Sequence, residues 1–506
     1  MTPVFWLRGR RFFIIIRELF RHEHIFKYIR SRYRPEIHVQ LNAATKLFCD
    51  CPNQPGDAPN RNTCPVCLWL PGAFPKLSRE ALEKAVLACL SVHCTIAEES
   101  AFDQKVYYYP DLPKGYQLSQ HHKPLAINGW IDIPGSKDSA DQLRRLRIHH
   151  IHLEEDVAKL IHETEGRKPV SLVDFNRAGA PLIEIVTEPD MRSPYEAMEF
   201  LKKLRTHLRY TGSTECSMEK GTMRADANIS LRKPGTEEMN TKVEVKNMNS
   251  IRHVGDAIAY EIQRQAECLD RGEPVTLHTR LWDPDKQVTF PMREKFAGPC
   301  VPDPSVPAIH MDAQWLETIK QRLPEMPSQK ADRFMAEFGL KADDAHTMSQ
   351  ERDVAEFFEA VVRLGDSPLK AANWMIAHLM PGLRDRNLDL CTTRLTPERF
   401  SGLLALLDNE KINAAAAKEI LFQMLEKDGS PEELTAAAGL EQVSDEAALI
   451  ALADGIIADH PSDAEDFKNG NPKVVGFLMG LAMKASKGKA NPKQMKEILT
   501  RQLNSL

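Results

Sequence analysis

The stretch SLVDFNRAGAPLIEIVTEPD, Ser171 to Asp190, reads as a strand, a turn and a second strand. Leu172 and Val173 run into Asn176-Arg177-Ala178-Gly179-Ala180-Pro181, a cluster of turn formers, and a β-branched run resumes from Leu182 to Val186. Glu184 interrupts that second run. A carboxylate among Leu, Ile and Val loses hydration unless it is paired or holds a cation; its other reading is a Glu on the solvent face of a half-buried strand. Working outward, His152-Leu153-Glu154-Glu155-Asp156 places three acids soon after a His. Further up, Glu36-Ile37-His38-Val39-Gln40-Leu41 alternates, so Glu36, His38 and Gln40 share one strand face and Ile37, Val39 and Leu41 the other. Carboxylates and an imidazole converging from separate strands are the donors that a Mg²⁺-nucleotide site in a sheet cradle requires.

At 506 residues the chain is too long for one core, and 42% hydrophobic with 27% charged residues is ordinary for a soluble protein of several domains. A formal charge of -5 excludes a broadly basic surface, so nucleic-acid contact must come from local patches. Residues 1–35 form a basic extension, carrying Arg8, Arg10, Arg11, Arg17, Arg21, Lys27, Arg30, Arg32 and Arg34 against Glu18 and Glu23. Its apolar run, Phe12 to Ile16, stops at Arg17 without a small-residue cleavage site and is far too short to span a membrane. No function is assigned to it, and no membrane partner is expected.

Cys49-x-Cys51 and Cys64-Pro65-Val66-Cys67 are two close thiol pairs on a Pro-, Asn- and Gly-rich loop with no core of its own, a pattern that fits one structural, tetrahedral Zn²⁺. Four thiolates leave no open position for catalysis. The other six Cys are scattered, which favours a reducing cytoplasm over a disulfide framework. A helix is expected from Ser78 to His93, followed by Tyr107-Tyr108-Tyr109-Pro110, with Lys105 and Lys114 on its flanks. Met218 to Arg232 and Thr241 to Ser250 alternate, putting Arg224, Asp226, Asn228 and Ser230 on one strand face and Lys242, Glu244 and Lys246 on another. From Pro302 onward the apolar spacing is helical, with boundaries expected at the Pro-rich run 299–307 and near Thr396-Pro397-Glu398. The expected division is thus 36–298, a cradle with the zinc loop; 299–394, helical; and 395–506, a helical tail. Near its end Lys484, Lys487, Lys489 and Lys493 surround Gly488, where ammonium groups on a turn could reach phosphates.

EIHVQL, the CxC and CxxC pairs, YYYPDLPKGYQLSQ, HLEED, VDFNRAGAPLIEIVTEPD, MRADANISLR and KVEVKNMNS occur in this order. From about Glu36 to the C terminus they make the chain resemble the B subunits of tRNA-dependent aspartyl/glutamyl-tRNA amidotransferases. The resemblance implies an α+β fold: a glutamine-synthetase-like β-sheet cradle with helices, then an all-helical middle domain and an all-helical tail. It implies a carbon–nitrogen ligase with glutamine as amido donor, using ATP and Mg²⁺ to activate the side-chain carboxylate of mischarged Glu-tRNA(Gln) or Asp-tRNA(Asn). Ammonia would come from a separate glutaminase (A) subunit, with a small C subunit completing a heterotrimer; tRNA, not DNA, is the nucleic-acid partner.

By the same resemblance His38, Glu155 and Glu184 correspond to Mg²⁺ ligands, with Glu36 and Glu154 close by, and Lys105 to a charged residue near the ammonia exit. Arg224, Asp226 and Lys246 fall on the nucleotide side, and the tail lysines grip tRNA. Arg34-Pro35 replaces an apolar lead into Glu36, and Phe296 to Cys300 replaces an aromatic-Arg run. These departures keep a second reading open, a catalytically impaired zinc- and tRNA-binding scaffold of the same complex.

Overall fold

The computed structural model describes residues 32–136, 139–166, 168–232, 240–292, 298–442, 446–468, 471–486 and 490–505. The chain divides into two compact units, Met1–Met326 and Pro327–Leu506. The first holds the strands, and the second is helical, so the architecture is α+β as expected.

Strands β1 (Arg32–Gln40), β2 (Thr95–Ile96), β3 (Glu99–Val106), β4 (Tyr116–Lys123), β5 (Ala126–Ser136) and β6 (Ser139–Glu155) come first. They are followed by β7 (Lys159–Glu165), β8 (Lys168–Asp174), β9 (Pro181–Thr187), β10 (Met223–Ser230) and β11 (Val243–Lys246). Then come β12 (His278–Asp283), β13 (Val288–Pro291), β14 (Cys300–Pro302) and β15 (Ile309–His310). A nine-stranded sheet runs β13-β12-β11-β10-β1-β9-β6-β5-β2. Only the β11–β12 pair in it is parallel. β3 anchors a smaller sheet by pairing with β4, β14 and β15.

The strand-turn-strand expected at Ser171 to Asp190 is present, but its two strands are not neighbours. β8 folds back on β7 as a separate hairpin, while β9 inserts between β1 and β6 at the centre of the large sheet. Every residue of β9 is buried, which its near-continuous Leu, Ile and Val content requires.

Ile37 and Val39 of β1, Ile183 and Ile185 of β9, and Leu153 of β6 point into one core. Helices α1 (Arg79–Ser91), α2 (Pro194–Tyr210) and α3 (Ile251–Asp270) share that core through Val86, Leu201, Leu204 and Ile258. Each starts at a serine whose hydroxyl accepts an otherwise unsatisfied amide: Ser78 from Ala81, Ser193 from Glu196 and Ser250 from His253. With that face filled, the alternate residues of β1, β10 and β6 face the opposite side of the sheet, which is the cradle.

Two features of the strands matter to that face. β6 carries a bulge against β9: Ile148 pairs with Thr187 but His150 with Val186, which leaves His149 as an extra residue. Pro35 lies inside the β1–β10 ladder opposite Ala227, and its carbonyl accepts from Thr187 Oγ1 at 3.1 Å. Its missing donor therefore points toward β9 just beyond the end of their ladder at Glu36, so the proline removes no bond to β10.

Both expected helical boundaries shift. Residues 299–326 belong to the first unit, because β14 and β15 hydrogen-bond to β3 and the helix Ala313–Lys320 places Ile319 in the sheet core. In the second unit one core runs from Ala331 to Leu425 and contains Phe334, Phe358, Phe400 and Met424. Thr396 does cap a new helix, Pro397–Asp408, but Phe400, Leu403 and Leu404 of that helix complete the existing core instead of starting another. The last core begins only at Leu449 and is built by Glu446–Asp459, Pro461–Lys468, Lys473–Ala485 and Pro492–Ser505. Among the described residues no helix is long and apolar enough to cross a membrane.

Candidate active site

Register builds the site. On the cradle face His38 of β1 stands opposite Glu184 of β9 on one side and Arg224 of β10 on the other, and Glu36 stands opposite Asp226. Glu184 in turn pairs with His152 of β6. Glu154, two residues along and therefore on the same face as His152, reaches into the gap: His38 Nε2 lies 3.6 Å from Glu154 Oε1 and 3.7 Å from Glu184 Oε2. One ligand atom from each of His38, Glu154 and Glu184 falls within 4.8 Å of the others.

Glu154 is 1% exposed, and its Oε2 has no hydrogen-bond partner among the described residues. A buried carboxylate oxygen left unpaired beside a second carboxylate is costly, and a hard divalent cation with oxygen and imidazole ligands would satisfy it. The residues present therefore fit Mg²⁺.

Glu155, expected among those ligands, is on the other side of the strand. Its Oε1 accepts from the Leu118 amide at 2.9 Å and pairs with Lys114. It lines a small cavity with Lys46, Cys49, Cys67 and Trp69. Consecutive strand residues point to opposite faces, so only one of the two acids can enter the cradle, and that one is Glu154.

Burial favours the neutral form of Glu184, but the His152 hydrogen bond and the nearby His38 and Lys105 outweigh it and hold Glu184 below the ordinary carboxylate range. Burial also raises Glu36, reinforced by Glu184, Glu244 and Asp226, and Asn228 donates to its Oε1 at 3.1 Å. Lys105 of β3 is half-buried; desolvation opposes its charge, yet Glu154, Glu184, Cys300 and Glu36 hold its pKa up. Asp226 and Lys246 form a 2.6 Å pair, with Glu244 also on Lys246 at 2.9 Å. Arg224 donates to Asp156 at 3.1 Å and keeps 41% of its side chain exposed on the cradle side. Of the expected site residues, then, His38, Glu184, Glu36 and Lys105 converge electrostatically, Arg224, Asp226 and Lys246 border them on β10 and β11, and Glu155 does not join them.

The four thiols come together as expected, with their sulfur atoms within 4.8 Å of one another. Closure onto a zinc at about 2.3 Å would bring them to roughly 3.8 Å apart, a small movement for loop side chains. The arrangement can hold one metal ion. The first pair sits on a tight reversal closed by Lys46 N to Cys51 O and Asn53 N to Ala44 O, both 3.0 Å. In the second, the Cys64 amide donates to Cys67 Sγ at 3.1 Å. Cys67 is held down to about 4, first by the Cys49 hydrogen bond and also by Lys46, whereas burial and Cys64 push Cys51 up to about 12. Lys46 is fully buried, with Nζ on the carbonyls of Asn62 at 2.7 Å and Phe175 at 3.1 Å, a fixed positive charge beside a thiolate cluster.

The turn that opened the sequence reading fastens this loop. Asn176 Oδ1 accepts from Asn62 N at 2.8 Å, Asp174 Oδ1 from Asn60 N at 3.0 Å, and Asn60 Oδ1 from Phe175 N at 2.7 Å. Arg177 donates to the carbonyls of Val157 and Ala158, both at 3.0 Å. The Asp-Phe-Asn-Arg turn therefore clamps the thiol loop and the end of β6, a role that no spacing rule signals.

The chain matches the family described as the GatB/GatE catalytic domain over residues 35–317 and the family described as the GatB domain over residues 356–503. It is 58% identical over 471 residues to one of the aspartyl/glutamyl-tRNA(Asn/Gln) amidotransferase B subunits of Syntrophus aciditrophicus, covering 93% of this chain and 98% of that protein. The chain belongs to the GatB family, the B subunits of tRNA-dependent amidotransferases. Other GatB relatives are the B subunits of Thermotoga maritima, 42% identical over 482 residues, and Carboxydothermus hydrogenoformans, 41% over 475. Each of these alignments covers 93% of this chain, with 99% of the first relative and 98% of the second. The GatB/GatE match ends at residue 317, within the first unit and past the expected boundary at 299. Of the tail lysines, Lys484 lies exposed in the last turn of Lys473–Ala485 and Lys493 exposed near the start of Pro492–Ser505. Lys487 and Lys489 lie outside the described residues.

Proposed function

We propose that the cradle is the site at which the side-chain carboxylate of mischarged Glu-tRNA(Gln) or Asp-tRNA(Asn) is activated with ATP and converted to an amide. The observation that carries this reading is the orphaned Glu154 Oε2 beside Glu184 and His38. A free carboxylate is a poor acyl donor. Its oxygen bonds to the γ-phosphorus of ATP and ADP leaves; ammonia then attacks the acyl carbon, phosphate departs and a proton is lost. Mg²⁺ held by His38, Glu154 and Glu184 would neutralise charge on the transferring phosphoryl group. Glu36 completes the carboxylate wall, Arg224 and Lys246 offer cations to nucleotide phosphates, and Asp226 fixes Lys246. Lys105, held charged by the same carboxylates, guards the side from which ammonia would arrive. That ammonia belongs to a glutaminase (A) subunit, with a C subunit as third partner. In this reading the four cysteines hold structural Zn²⁺, the tail lysines grip the tRNA backbone without reading sequence, and the complex works in the cytoplasm.

The test is ADP formation by the assembled complex, with and without mischarged tRNA. The parent should form ADP in a tRNA-dependent way, whereas Glu154→Gln should not while still binding tRNA. Full turnover in that variant would sink the assignment. The scaffold reading requires a parent complex that binds tRNA and forms no ADP. Pro35 does not support it, because the proline spares the β1–β10 ladder.

A further inference from the structure

His152 borders the residues that converge on His38 and is held at both ring nitrogens. It is 6% exposed, its Nε2 lies 2.7 Å from Glu184 Oε2, and its Nδ1 lies 3.3 Å from the hydroxyl of Ser119, itself 2% exposed. A carboxylate only accepts, so Nε2 carries the hydrogen in this bond. Ser119 belongs to β4 of the smaller sheet, and the same junction is tied by Leu153 N to Gln120 Oε1 at 2.8 Å. His150 packs edge-on against the His152 ring at 5.4 Å, which further restricts its rotation.

From this geometry we infer that His152, steered by Ser119, is a positioning residue that sets the angle at which Glu184 meets a divalent cation. The inference rests on the cradle being a cation site. An unsupported carboxylate rotates about its last bond. Pinning Oε2 to an imidazole that the second sheet holds in turn leaves one orientation toward His38 and Glu154. A partner that orients a metal-ligating side chain contributes to affinity without touching the metal, and its loss typically weakens binding by about 10- to 100-fold.

The experiment uses the full chain and Mn²⁺ as the probe, following the loss of the free-ion electron paramagnetic resonance signal on titration, with thermal unfolding measured on the same samples. Parent protein should bind Mn²⁺ competitively with Mg²⁺. His152→Ala should weaken that binding by about 10- to 100-fold, His152→Gln, which keeps a donor, should recover part of it, and Ser119→Ala should lie between His152→Ala and the parent. If the parent binds and folded His152→Ala binds equally well, the positioning role is overturned, and a change confined to the melting temperature overturns it equally. If the parent itself binds no Mn²⁺, the cation-site reading fails, a result separate from the first.

Discussion

Removing one negative charge from the cradle should stabilise the metal-free protein while abolishing its chemistry. Glu154 and Glu184 place carboxylate oxygens within 4.8 Å of each other. At an effective dielectric constant of 20, two unit charges at that distance repel by about 3 kcal/mol. Lys105 and the His152 hydrogen bond to Glu184 offset part of this, leaving roughly 1–2 kcal/mol of repulsion in the absence of a cation. Glu154→Gln relieves it, and the new amide can donate to Glu184. For a unit of this size the melting transition should rise by about 1–3 °C in chelator. Saturating Mg²⁺ should then raise the parent by mass action and leave the variant unmoved, so the two melting curves approach or cross. The assay is calorimetry on parent and variant in chelator and in Mg²⁺, alongside tRNA-dependent ADP formation. A variant that melts at or below the parent in chelator, and gains as much from Mg²⁺, would show that Glu154 is not a strained ligand and that the reasoning from its orphaned oxygen is wrong.

Zinc analysis of the purified chain should find one equivalent, and Cys64→Ser should lose it together with part of the melting temperature; a zinc-free parent of undiminished stability refutes the assignment. Asp190 is held below the ordinary carboxylate range, chiefly by its hydrogen bond from Arg147 against an opposing effect of burial. Its contribution is therefore present above an unfolded value near about 4 and is lost as pH falls through the lower folded value. Asp190→Asn should cost stability at neutral pH, and the difference from the parent should shrink in acid, as read by urea unfolding across pH. Replacing Lys484, Lys487, Lys489 and Lys493 with Ala should weaken tRNA binding and flatten the salt dependence, by up to about 0.9 in log–log slope for each phosphate that is no longer neutralised. An unchanged slope in filter-binding titrations would reduce the tail to a solvated helix pair.

Much of this was legible in the sequence because alternation is strict. The two faces of β1 and the thiol spacing reappear as read, and the helix expected from Ser78 runs Arg79–Ser91 with Ser78 as its cap. The choice between Glu154 and Glu155 was also within reach: Ile151 and Leu153 alternate with His152 and Glu154, so the acid sharing the imidazole's face is Glu154. Strand partners were not legible, since a turn between two apolar runs suggests a hairpin, and only tertiary pairing sends β8 to β7 and β9 to the centre. Domain limits failed for a related reason. Pro-rich segments mark breaks in secondary structure, but β14, β15 and the Pro397–Asp408 helix pack backward onto what precedes them.

The bulge at His149 acts as a phase setter for everything beyond it in β6. Before it, Leu146 and Ile148 supply the core from even-numbered positions; after it, Ile151 and Leu153 supply it from odd ones. Deleting His149 would let the ladder run straight with the same faces kept, because Ile148, His150 and Ile151 would then alternate, whereas inserting one residue after Ile151 would turn the end of the strand over. Glu155 would swing into the cradle, Glu154 toward Lys114 and the thiol loop, and His152 into the hydrocarbon core. Having acids at both positions gives no insurance, because the imidazole that steadies Glu184 turns with them. A one-residue insertion beyond the bulge should therefore be more damaging than any single substitution at Glu155.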